Sequence, residues 1–146
     1  IRPTTQNESR GLPSLLCVNR DVRQLLQCLN YFSDRGFRCL ASASRQDARR
    51  LRVEASPEAV VLMAEGMSDE AVVEFQQQHY QVENAEPLFL VLSDTQAERL
   101  NGSVAHGPGT VLAGRVSLGS LRRSIQGQLE PERQPGHQLE RPVDVS

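Results

Sequence analysis

Five short apolar runs, residues 14–18, 38–41, 59–63, 88–92 and 110–113, alternate along the chain with stretches whose apolar residues recur at helical spacing. SLLCV and AVVLM have almost no polar break, the pattern of strands buried on both faces. After the first run, Leu25, Cys28, Leu29 and Phe32 share one helical stripe, Asp21 stands at the N-cap, and Gly36 fits the left-handed position past the helix end. Ser44 caps a second helix, with Asp47 as acidic partner three residues on. Its inward face is Ala48, Leu51 and Ala55, it stops before Pro57, and it exposes Arg45, Arg49, Arg50 and Arg52. Ser68 or Asp69 caps a third helix built on Val72, Val73 and Phe75, whose polar tail QQQHYQVENAE is expected to fray into a loop. Pro87 is tolerated at the start of the fourth strand, and Ser93-Asp94 caps the short helix DTQAERL. NGSVAHGPG reads as a turn-rich loop before the fifth strand. Leu118, Leu121, Ile125 and Leu129 then line the last helix.

Strand–helix alternation with short connections implies right-handed crossovers and a parallel sheet covered on both faces. The prediction is a three-layer α/β/α domain with a five-stranded parallel sheet of flavodoxin-like order 2-1-3-4-5. It spans residues 13–129. Residues 1–12 are polar and aperiodic and read as a disordered lead. Residues 130–146, broken by Pro131, Pro135, Gly136 and Pro142, read as a flexible tail or linker.

Composition narrows the function. The 146 residues are 38% hydrophobic and 23% charged, ordinary values for one soluble domain. A net charge of −2 gives no global basic field for nucleic acid or anionic lipid. Lysine is absent and all 16 cations are arginine, so no mechanism here uses a lysine amine. Cys17, Cys28 and Cys39 have no zinc-like spacing and read as small buried hydrophobes in a reducing, cytoplasmic setting. No apolar stretch approaches the ~20 residues that span a bilayer, and no signal peptide is visible.

In an open parallel sheet, chemistry gathers at the carboxyl ends of the strands. Those ends carry almost no acid here: Asn19-Arg20, Met63, Ser93 and Gly114. The landmarks around them resemble the receiver domain of bacterial response regulators over residues 13–129. In that family strand one ends in two acids, where this chain has Asn19-Arg20. A glycine before an aromatic closes helix one, as Gly36-Phe37 does. A proline–acid pair leads into the strand that ends in the phosphoacceptor aspartate; Pro57-Glu58 lead to Met63. Strand four begins with proline and ends in a small hydroxyl residue, as Pro87 and Ser93 do. The lysine that ends strand five is replaced by Gly114, followed by Arg115.

The resemblance thus implies a phosphorylation site degenerate at Asn19, Arg20, Met63 and Gly114, with Ser93 the surviving member. Aspartyl phosphorylation needs an oxygen nucleophile and a divalent cation held by hard oxygens. Methionine supplies neither, and Arg20 would repel the metal. What the chain resembles is therefore a pseudo-receiver: a non-catalytic signalling domain with no catalytic, cofactor or metal residues. Its expected partner is a protein domain, in the same parent chain or another, such as a kinase, ATPase or transcription-activator module. No nucleic-acid or membrane contact by the domain itself is expected, and a dimer is compatible with the pattern. By resemblance the partner face is helix four, strand five and the last helix, near Leu100, Val104, Val116 and Leu118. The alternative is a flavodoxin-like enzyme or ligand binder using the strand-end crevice, against which stands the glycine-free turn VNRD after Val18. A third reading is a transcription-associated module, whose DNA contacts would lie in another domain because this chain shows no helix-turn-helix or basic stripe.

Individual residues carry two readings each. Arg20 either pairs with Glu65 across the vacant metal site or is a solvated surface arginine. Met63 fills the former acid pocket as core. Glu65, Asp69 and Glu70 are better explained as helix-start acids than as a rebuilt acidic site. Ser93 is a helix cap. His79-Tyr80 and His106 are isolated surface residues, and Gly107-Pro108-Gly109 is a tight loop. Arg45, Arg49, Arg50 and Arg52, like Arg122-Arg123, form a solvated face or a patch for an acidic partner.

Overall fold

A computed structural model describes residues 13–100 and 108–129. The predicted lead 1–12 and tail 130–146, and with them Val104 and His106, lie outside the described residues. The elements alternate as expected: β1 (Ser14–Val18), α1 (Val22–Ser33), β2 (Arg38–Ser42), α2 (Arg45–Ala55), β3 (Ala59–Met63), α3 (Asp69–His79), β4 (Leu88–Leu92), α4 (Asp94–Arg99), β5 (Gly109–Ala113) and α5 (Leu118–Leu129). All strands are parallel, in the order β2-β1-β3-β4-β5.

Alternate residues of the strands feed two cores. Leu15, Cys17, Val61 and Phe89 point to the side covered by α1 and α5, where Leu25, Cys28, Phe32, Leu121 and Ile125 meet them. Leu16, Val18, Val60, Leu62, Leu88 and Leu90 point to the other side, against Ala48 of α2 and Val72 of α3. Cys17 and Cys28 are buried in the first core, as the sequence suggested, with their sulfurs 3.8 Å apart, whereas Cys39 is only partly buried against it.

The caps follow the sequence. Asp21 accepts from the backbone N–H of Arg23 and Gln24, Ser44 from Asp47, and Ser68 from Ala71. Gly36 takes φ +90° after α1. Three expectations fail. Asp47 does not complete a capping box, because its carboxylate turns to Arg50 at 2.5 Å. Ala55, the last residue of α2 before the left-handed cap at Ser56, is exposed. Arg52 is not a solvated cation: it reaches across to the residues before β4.

That last contact helps to hold the first part of the polar tail after Phe75 in the helix; residues 80–86 leave it as turns and loop, as expected. α3 continues to His79, which is 2% exposed rather than on the surface. Arg52 Nε donates to Glu86 Oε2 at 2.5 Å and its Nη2 donates to Glu86 Oε1 at 3.1 Å and to the His79 carbonyl at 2.8 Å. His79 Nε2 lies 2.7 Å from the Glu86 carbonyl, an acceptor, so this nitrogen carries the proton. Tyr80 Oη donates to the Pro108 carbonyl at 2.5 Å. The cluster ties α2, the end of α3 and the approach to β4 together.

Burial pushes the His79 imidazole below its ordinary pKa, so as pH falls the unfolded chain takes up the proton before the fold does. Its contribution to stability is therefore present above the unfolded value of about 6.5 and is lost as pH falls below it. Urea melts of the wild type and His79→Gln at pH 7.5 and 5.5 check this. The stability gap between them should narrow at the lower pH, and a gap independent of pH would show that His79 charges freely in the fold.

Candidate functional site

The parallel sheet brings Asn19, Met63, Ser93 and Gly114 to one rim, because every strand points the same way. A crevice of about 520 Å³ opens there, lined by Asn19, Arg20, Ser44, Met63 and Ser68 among others. Asn19 follows β1 and is only 3% exposed. Its Oδ1 accepts the Asp21 N–H at 2.9 Å, an Asx-type turn that opens α1. That bond orients the amide, so its Nδ2 donates to Gln24 Oε1 and to the Met63 sulfur, both at 3.2 Å. The Met63 side chain is half-buried and packs against the core beneath α1 and α5.

The rest of the rim is similarly committed. Arg20 is exposed and reaches the Gly66 carbonyl at 3.4 Å, so of its two readings the surface arginine holds and the pairing with Glu65 does not. Asp21, the acid nearest in sequence, spends its carboxylate on the first N–H groups of α1. Asp69 is bidentate to Arg99 of α4, at 2.7 and 3.1 Å, and that guanidinium holds its carboxyl below the usual range. Among the described residues, no three His, Cys, Asp or Glu side chains converge as metal ligands.

Ser93 caps α4, as its sequence context suggested: its hydroxyl accepts from the Gln96 N–H at 3.2 Å. Gln96 is the residue that sequence reasoning missed. Its Oε1 accepts the Ser93 N–H at 2.9 Å, while its Nε2 donates to the Ala64 and Met67 carbonyls at 2.8 and 3.1 Å. It thereby pins the loop after β3 to the start of α4. The spacing S-x-x-Q was the available signal. Gly114 has φ +84°, and a Cβ on it would stand 2.9 Å from Asp94 Oδ1. A lysine there would be strained by its backbone and crowded by Asp94.

Of the residues expected near a partner face, Leu100 is buried in the core beneath α2 and α3, so its side chain is not available to a partner. Val116 and Leu118 are half-buried against the opposite core, and Val104 lies outside the described residues. Arg122 is likewise no simple surface charge, with its guanidinium 5.8 Å from the Tyr31 ring.

No family model matches the chain, and no curated protein matches it. Solved structures do. The chain aligns with a response regulator receiver domain from Clostridium thermocellum at a TM-score of 0.66 and 12% identity, covering 84% of this chain and 98% of that one. It aligns with a response regulator receiver modulated diguanylate cyclase from Pelobacter carbinolicus at 0.63 and 15%, covering 86% and 99%. The chemotaxis response regulator CheY4 of Vibrio cholerae gives 0.60 and 15%, covering 81% and 99%. At these identities the likeness is one of architecture: the chain has the fold of response-regulator receiver domains.

Proposed function

We propose that this domain is a signalling module of receiver fold that takes no phosphoryl group and acts by binding a protein partner. The observation that carries the reading is Met63 at the carboxyl end of β3, its sulfur taking a hydrogen bond from the buried Asn19 amide. In a receiver fold that is the acceptor position, and here it holds a neutral thioether, a weak acceptor and no nucleophile toward phosphorus. The neighbouring positions support the same reading. Asn19 Oδ1 is occupied by a backbone N–H, Arg20 brings positive charge toward the loop after β3, and Gly114 offers no cation to a phosphoryl oxygen. With no charge to switch, the domain would present one surface constantly. That surface, rather than the rim, is where its specificity would reside, and the partner would be a protein domain of the same parent chain or another. No helix among the described residues is long and apolar enough to cross a membrane.

Two measurements check the reading. Incubation with acetyl phosphate and magnesium, followed by intact-mass spectrometry, should leave the mass unchanged; a stable increment of one phosphate that is lost on hydroxylamine treatment would mean an acyl phosphate had formed. In thermal melts, 10 mM magnesium should leave the wild type unmoved. The triple variant Asn19→Asp, Arg20→Asp, Met63→Asp, which rebuilds a hard-oxygen site, should gain about 1–3 kcal/mol from the same addition. A magnesium response equal in both proteins would place the metal elsewhere and remove the basis for the reading.

A further inference from the structure

α2 and α3 lie side by side on one face of the sheet, and their facing residues form rungs at a constant sequence offset. Arg45 pairs with Glu74 at 2.9 Å, and one turn further Arg49 donates to the Gln78 side-chain carbonyl, each pair 29 residues apart. Beyond these two rungs the groove is lined by Val53, near the end of α2, and Val82, three residues past the end of α3, and the two side chains are 77% and 55% exposed. Between the helices runs a groove of about 690 Å³ with Leu16, Ala48, Val60 and Phe75 among its lining residues. Its volume falls in the range of small-ligand sites, roughly 300–1,000 Å³.

Charge distinguishes this groove from a packing gap. Arg45, Arg50 and Arg52 each hold a carboxylate, from Glu74, from Asp47 and Glu54, and from Glu86. Among the described residues Arg49 has only a neutral amide, at the point where the groove changes from polar rungs to an apolar lining. A carboxylate offered there would exchange a neutral hydrogen bond for a charge-assisted, bidentate one. One unpaired cation beside an apolar trough matches a ligand with one negative charge and an apolar body. The exposed apolar rim of two valines is far too small for a stable protein interface, which needs roughly 800 Å² on each partner.

We infer that the groove between α2 and α3 is a binding site for a small apolar monocarboxylate, its head on Arg49 and its body between Val53 and Val82 over the sheet. The site is separate from the strand-end rim and stands whether or not that rim takes a phosphoryl group. A bound ligand would tie the end of α2 to the turn that follows α3.

The test is a titration of the full ¹⁵N-labelled chain with sodium octanoate, followed by amide shifts, with 1-octanol as the uncharged probe. Saturable shifts are expected across residues 45–57 and 75–86. Arg49→Gln should weaken octanoate at least tenfold and leave 1-octanol unchanged, whereas Val53→Asp should abolish binding of both. Both side chains are exposed, so each variant should keep the wild-type spectrum elsewhere. Absence of saturable shifts, shifts confined to another region, or equal octanoate affinity in all three proteins would overturn the inference. So would shifts that depend on protein concentration without ligand, which would mark the valines as a contact between copies of the chain.

Discussion

Three strands in this molecule have no face to show to water. Residues 15–18 of β1 and 59–62 of β3 are all buried, and so are four of the five residues of β4. Each buried Val, Leu or Phe among them contributes about 1.5–3 kcal/mol when removed from water, so helices must cover both sides of the sheet. Parallel pairing then forces every connection to cross back over a face, and every strand to end at the same rim. The gathering of Asn19, Met63, Ser93 and Gly114 is a consequence of that constraint. It happens whether or not those residues do chemistry.

What stands at the rim changes what the rim can do. Clustered carboxylates repel one another until a cation neutralises them, and that unresolved charge is what makes an acidic rim responsive. Here an amide, a thioether and a backbone turn satisfy one another. Gln96 clips the loop after β3 to the start of α4, and Asp69 and Arg99 link α3 to the same helix. These bonds need no ligand to complete them. A rim closed in this way stabilises one arrangement of its loops, which suits a domain that presents surface and does not switch.

Most of the fold was legible because it rests on local rules. The five apolar runs, the caps at Asp21, Ser44, Ser68 and Ser93 and the turn at Gly36 each follow from residue chemistry within a few positions. What escaped was long-range and polar. Nothing near Arg52 predicts Glu86, which lies 34 residues away. His79 looked isolated because its partner is a backbone carbonyl, which carries no sequence signature. Leu100 falls near the partner face only by resemblance to the receiver family, yet here it turns into the core at the helix end. At the rim, the identities of Asn19 and Met63 were readable, but the bond between them joins two strands and required the register of β1 against β3.

Under the proposed function, this rim is complete without a phosphoryl group or its metal. The most direct measurement is an amide-shift titration of the ¹⁵N-labelled chain with magnesium and beryllofluoride, a mimic of the bound phosphoryl group. The amides of Asn19, Arg20, Met63, Ala64, Ser93 and Gly114 should stay where they are throughout. Saturable movement of those signals, dependent on both magnesium and beryllofluoride, would contradict the proposed function.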